Sequence, residues 1–294
     1  DNCSSDNSIE ILETDYSGFE PLRIVKNSVN VGRIPNWNKC ITHAEGKYLL
    51  YLFANDLISH DNNVKETLVF FDKYQESSLC SVPWIVSDFK MKNMFSAPQY
   101  HKRTPGVGAF NSEPHVKSIL ESGKLPFVCL QSNFLRTSDI YSSGLEFDDS
   151  YSITSDGIFL SKLAVFKKQV CFFNKHSIIW RQDAPNRLHS NVKYDDHIKQ
   201  FFNTFIIINN EVSMGRKGVA KALANYSGSK YFWISLIKSR RKADVFYSFK
   251  LLSLWFSLTK NGEINYLRFL YYSTINLILT VKKIPTFFKL LINS

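Results

Sequence analysis

Apolar positions fall into short blocks along the first two thirds of the chain, and each block has a readable period. A polar turn over residues 1–8 leads into a helix over 7–14, with Ile9 and Leu12 inward and Ser5 or Asp6 placed to cap it. Residues 22–25 read as a short strand, and Asn30-Val31-Gly32 as a turn. Trp37, Ile41 and Ala44 then recur at i, i+4, i+7, the stripe of an amphipathic helix. Pro35 suits its start and Gly46 its stop. Residues 48–53, Tyr-Leu-Leu-Tyr-Leu-Phe, follow without a polar break and end on Asn55-Asp56. An unbroken apolar run of that length predicts a buried strand. Strand, helix, strand in this order predicts a βαβ unit and a locally parallel sheet. A carboxylate at the end of such a strand stands where α/β proteins bind ligands.

The same periods continue. Helices are expected over 64–74, from 116, and over 156–166, where Phe159, Leu160, Leu163 and Phe166 are apolar. Strands are expected over 81–86, 127–130, 170–173 and 177–180. Residues 90–112 read as a long polar loop, and 134–142 and 198–209 have mixed periods. The fold class implied is α/β.

Composition changes this picture in two places. Of 294 residues 44% are hydrophobic and 21% charged, which excludes a disordered chain and allows a sizeable core. The five cysteines, Cys3, Cys40, Cys80, Cys129 and Cys171, are scattered with no C-x-x-C pair. That argues against a zinc site and a disulfide framework, and suits a reducing compartment. The net charge of +10 is uneven: residues 215–294 hold 14 Lys+Arg against 2 Asp+Glu, and residues 1–214 hold 22 against 24. Two regions are therefore expected, 1–214 and a basic 215–294. In the second, apolar and aromatic runs lie between basic residues. The longest uncharged run, 269–281, is too short to span a bilayer and suits the membrane interface.

Five short motifs in order resemble those of family 2 glycosyltransferases. Asp1-Asn2-Cys3-Ser4-Ser5-Asp6 looks like the D-[DN]-x-S-x-D turn after their second strand, and Asn30-Val31-Gly32 like their N-x-G turn. Asn38 matches the Asn of their A-R-N-x-G-I helix, with Trp37 and Cys40 departing from it. Gly46-Lys47-Tyr48 and the run to Asn55-Asp56 look like their G-E-Y-I strand and D-x-D-type end. Ser155-Asp156-Gly157 resembles the later acidic motif. The resemblance covers about residues 1–190, and the family's first strand, helix and second strand are expected to be missing before Asp1.

The resemblance implies a GT-A fold with a Rossmann-like mixed sheet, followed here by a basic C-terminal helical region, a nucleotide-sugar donor and a divalent metal, Mn²⁺ or Mg²⁺. Asp56 would hold metal and diphosphate, although Ala54 and Asn55 stand where relatives often have acids. Asp1, Asn2, Asn38 and Asn55 would line the donor site. Asp156 would be the general base of an inverting transfer, with Asp148 and Asp149 as rivals. His189 is a further metal candidate, and Arg181 or Arg187 could pair with phosphate. The bland alternatives are a turn-capping role for Asp56, an N-cap role for Asp156, an Asx turn at Asp1-Asn2, and solvated loop residues for the rest. The function expected is transfer of a sugar to a saccharide or undecaprenyl-linked acceptor, on the cytoplasmic face of a bacterial membrane, in surface polysaccharide (O-antigen or capsule) assembly. A non-catalytic relative that binds at the membrane is the alternative. A nucleic-acid binder is less favoured: no recognised module appears, and the tail's apolar runs are long for a solvated groove.

Overall fold

The structure is a computed structural model. It describes residues 1–96, 104–181 and 194–214, together with Gly218, Ala222 and Asn225. His189, Arg187 and nearly all of the basic region 215–294 lie outside the described residues.

Among the described residues nine strands form two mixed sheets. The larger takes β1 (Tyr48–Leu49), β7 (Asn133–Arg136), β3 (Ser77–Ser81), β8 (Gln169–Phe172) and β6 (Gly108–Asn111), in that spatial order. Only β3 and β8 pair in parallel there. The smaller sheet takes β2 (Asp56–Ile58), β9 (Ile178–Arg181), β4 (Trp84–Ser87) and β5 (Met94–Ser96), with β4 and β9 parallel. Among the described residues the chain passes between the sheets five times, at β1–β2, β2–β3, β3–β4, β5–β6 and β8–β9. Between β3 and β4 stands Pro83, which has no N–H for a ladder and separates the two strands.

Strand alternation sorts the core into two layers. Leu79, Leu135, Val170 and Phe172 face one cluster, with Ile34, Trp37, Phe159, Leu160 and Leu163. Cys80, Phe134 and Cys171, their neighbours in sequence, face a second cluster around Phe71. The first layer holds α2 (Arg33–Thr42), α4 (Ser112–Glu121), α6 (Ser155–Phe166) and α7 (Tyr194–Val212). The second holds α3 (Asp61–Asp72). Two short helices, α1 (Ser8–Asp15) and α5 (Thr137–Ser143), complete the elements. Helix α6 buries residues on all sides, as its nearly continuous apolar sequence dictates. Gly157 lets its first turn close on the chain beneath: a Cβ there would stand 3.3 Å from the Phe127 carbonyl oxygen and from Leu125 Cδ1.

Several expectations give way. The run 48–53 is not one buried strand: only Tyr48 and Leu49 pair, antiparallel to β7 at a sheet edge, so the expected parallel βαβ unit is absent there. The reason is aromatic packing. Tyr51 and Phe53 turn onto Trp37, whose ring stacks on Phe53 at 5.2 Å, and the Tyr51 hydroxyl donates to the Trp37 carbonyl at 2.8 Å. Residues 22–25 form no strand; the backbone there is tied to Asp1, through Asp1 N to Val25 O and Asn27 N to Asp1 O, and Leu22 N donates to the Phe19 carbonyl. Residues 127–130 are not a strand, and a 3₁₀ turn, Leu130–Ser132, leads into β7 instead. The expected loop 90–112 contains β5 and β6. Pro35 is the third residue of α2, and Ala44 lies beyond its end. Helices α1, α3, α4 and α6 and strands β8 and β9 fall within a few residues of expectation.

Candidate active site

Asp56 follows a tight turn, its N–H donating to the Phe53 carbonyl at 2.8 Å, and opens β2 opposite Trp180 of β9. It is buried, and its Oδ2 accepts a hydrogen bond from Gln131 Nε2 at 2.8 Å. Gln131 is itself buried in the 3₁₀ turn. That turn starts at Cys129, a non-glycine residue in the left-handed region (φ 65°). The conformation is held because the Cys129 carbonyl accepts from Ser132 N and Oγ and from Asn133 Nδ2.

Asp156 lies in the first turn of α6, after Thr154 and Ser155, so it is inside the helix rather than its N-cap. Its Oδ1 accepts from the Gly157 N–H at 2.8 Å. Loss of water raises the Asp156 carboxyl above the ordinary range, against the Gly157 N–H and the positive charge of Arg33. Arg33 opens α2, lies over the Trp37 ring at 4.6 Å and donates to the Ser152 carbonyl. Burial also drives the Cys129 thiol up; Ser132 opposes the shift, and the negative charges of Asp56 and of Asp156 add to it. Cys129 therefore lies within electrostatic reach of both acids. One acid comes from a strand and the other from a helix.

The other candidates divide. Asn2 bridges three segments: its Nδ2 donates to Asn30 Oδ1 and the Gly32 carbonyl, and its Oδ1 accepts from Asn27 Nδ2 and the Val31 N–H. This network sets the left-handed Gly32 turn (φ 89°) that presents Arg33. The Asp1 carboxylate accepts from Ser4 N–H and Oγ, an Asx turn. Asn55 meets the site edge, where its carbonyl accepts from Arg181 Nε at 2.5 Å. Asn38 clamps both backbone groups of Phe147, at 2.8 and 2.9 Å. It lines a groove of about 560 Å³ with Pro35, Lys39, Glu146, Asp148 and Asp149, and neither Asp56 nor Asp156 lines that groove. Sequence reading missed Gln131, Cys129 and Arg33; for Arg33 the signal was its place directly after an N-x-G turn.

A metal would need more oxygen than the chain supplies here. Among the described residues no three His, Cys, Asp or Glu side chains gather to hold an ion. Asp56 is one carboxylate with one oxygen already accepting an N–H, whereas Mg²⁺ and Ca²⁺ take six or more oxygen ligands.

Residues 1–116 match the family model described as Glycosyl transferase family 2. The chain resembles the family 2 glycosyltransferases. No curated protein matches it. Among solved structures, S. aureus TarS 1–349 is similar, with a TM-score of 0.56 and 16% identity over 78% of this chain and 61% of that one. S. aureus TarS in a longer form gives 0.57 and 17% identity over 77% of this chain and 37% of that one. TarS 1–349 in complex with UDP-GlcNAc gives 0.54 and 16% identity over 77% and 62%. The chain thus spans about three fifths of TarS 1–349. At such identities the likeness is one of fold, and that fold is the GT-A arrangement of mixed sheets between helices.

Proposed function

We propose that the chain is a glycosyltransferase that moves a sugar from a nucleotide-sugar donor to a hydroxyl of a saccharide, free or undecaprenyl-linked. The observation that carries this reading is that two acids, Asp56 opening β2 and Asp156 in the first turn of α6, both lie within electrostatic reach of Cys129. The family match over residues 1–116 and the UDP and UDP-GlcNAc complexes of TarS support a nucleotide-diphosphate donor.

Asp56 borders the diphosphate, and Gln131 orients it. Asp156 takes the proton of the acceptor hydroxyl as that oxygen attacks the anomeric carbon and the bond to the donor phosphate breaks. A carboxylate of raised basicity suits that step, and Arg33 holds its charge in place. Attack opposite the leaving group inverts the anomeric centre. The Asp1-Asn2 turn lies toward the nucleotide base, and Asn38 acts through the Phe147 backbone rather than on the donor. A divalent cation, Mg²⁺ or Mn²⁺, would be held by Asp56 together with the diphosphate itself, and would offset the leaving group's charge. The basic region 215–294 would bring residues 1–214 to an anionic cytoplasmic membrane surface, where a lipid-linked acceptor of surface polysaccharide assembly resides. Ala54 and Asn55, where relatives often have acids, favour one alternative, a binding protein without turnover.

The test is release of nucleoside diphosphate by the full chain from a panel of UDP- and GDP-sugars, with and without Mn²⁺. Release from at least one donor is expected. Nucleotide binding without release from any donor selects the alternative, and neither binding nor release contradicts both.

A further inference from the structure

Arg181 ends β9 beside the acid that ends the turn before β2. The two strands run antiparallel with Asp56 opposite Trp180, so the next pair outward brings Asn55 and Arg181 together. Two contacts of different kind fix the guanidinium plane. In the plane, Nε donates to the Asn55 carbonyl at 2.5 Å. Across its face lies the ring of Phe89, 4.8 Å from the guanidinium carbon to the ring centroid. None of the ion pairs among the described residues includes Arg181.

A donor diphosphate beside Asp56 sets several negative charges against a buried carboxylate. Something positive must stand at the same edge. Ala54 and Asn55 stand where relatives often have acids, and among the described residues no three ligating side chains gather, so the hold on a cation is weak. The chain also offers a planar cation whose orientation is already set, and a guanidinium fork matches phosphate oxygens in pairs. The geometry points to Arg181 as a direct contact for the diphosphate of the donor, a cation built into the protein at the edge that carries Asp56. The inference rests on the glycosyltransferase reading and adds to it how the leaving group is held. Diphosphate recognition then belongs to the chain and survives removal of metal.

The test is calorimetric titration of the full chain with UDP, GDP, uridine and guanosine, in EDTA and in Mn²⁺, for the wild type, R181A and R181K. Wild type is expected to prefer a nucleoside diphosphate over its nucleoside in EDTA. R181A should weaken diphosphate binding roughly 10- to 100-fold, the span a charged hydrogen bond carries, with nucleoside binding unchanged. R181K should fall between, since it keeps the charge and loses the fork. Three results overturn the inference: R181A binds the diphosphate within about twofold of wild type; diphosphate and nucleoside weaken together, the mark of a structural role; or the preference exists only with Mn²⁺. A wild type that binds neither ligand overturns the glycosyltransferase reading as well. One that turns over nucleotide sugars with R181A unchanged in diphosphate affinity sinks this inference alone.

Discussion

Asp156 is held against its own charge, and that fixes two measurable consequences. Its folded pKa lies above the ordinary 3.8, chiefly from loss of water. The folded state therefore binds the proton more tightly than the unfolded chain, and ionisation works against folding at higher pH. Asp156→Asn removes that charge. Its melting temperature should equal or exceed wild type near pH 7, with the gap closing as pH falls toward 3.8; thermal unfolding across pH measures it. An ordinary surface Asp would show no such gap. Asp56 and Asp156 were legible in the sequence as an acid closing an apolar run and an acid at a helix start, and the structure moves Asp56 from the end of one strand to the beginning of the next. Gln131 and Cys129 were not: they sit in an apolar stretch that reads as a strand, and their role depends on a left-handed backbone that no residue type there announces. Asn38 was legible as a special position, but its amide serves the Phe147 backbone.

At the scale of elements, helix α4 carries a titrating group with the opposite sign. His115 packs between the rings of Phe127 and Phe172, and burial lowers its pKa to about 4 from 6.5. The unfolded chain takes up the proton first as pH falls through 6.5, so stability drops on acidification below that value. Between about pH 7 and pH 5 the loss from this residue is on the order of 2 kcal/mol. His115→Phe should flatten that part of the pH dependence in chemical denaturation, and a variant with wild-type slope would contradict it. Helices were largely legible, since a 3.6-residue stripe survives whatever it packs against. Strands were less so. The run 48–53 has the composition of a buried strand, yet its aromatics find better partners in Trp37 than in a sheet. The mixed sheet followed from the family resemblance and not from the periods, because β7 enters from a distant part of the chain to separate β1 from β3.

At the scale of the molecule, layered packing explains why the site sits where it does. The crossing from β1 to β2 places Asp56 at the smaller sheet's edge strand, and α6 packs on the larger sheet with its first turn pressed on the chain at Phe127. The link 127–132 lies between them and carries both Cys129 and Gln131. The proposed function gives the two acids different work. The most direct test is therefore a pair of variants, Asp56→Asn and Asp156→Asn, assayed for nucleotide-sugar turnover and for nucleoside-diphosphate binding. Asp156→Asn should lose roughly 10²- to 10⁴-fold in kcat while keeping diphosphate affinity, as removal of a general base requires. Asp56→Asn should change diphosphate affinity and turnover together. Two silent substitutions, or an Asp156→Asn protein with wild-type turnover, would contradict the assignment of this site.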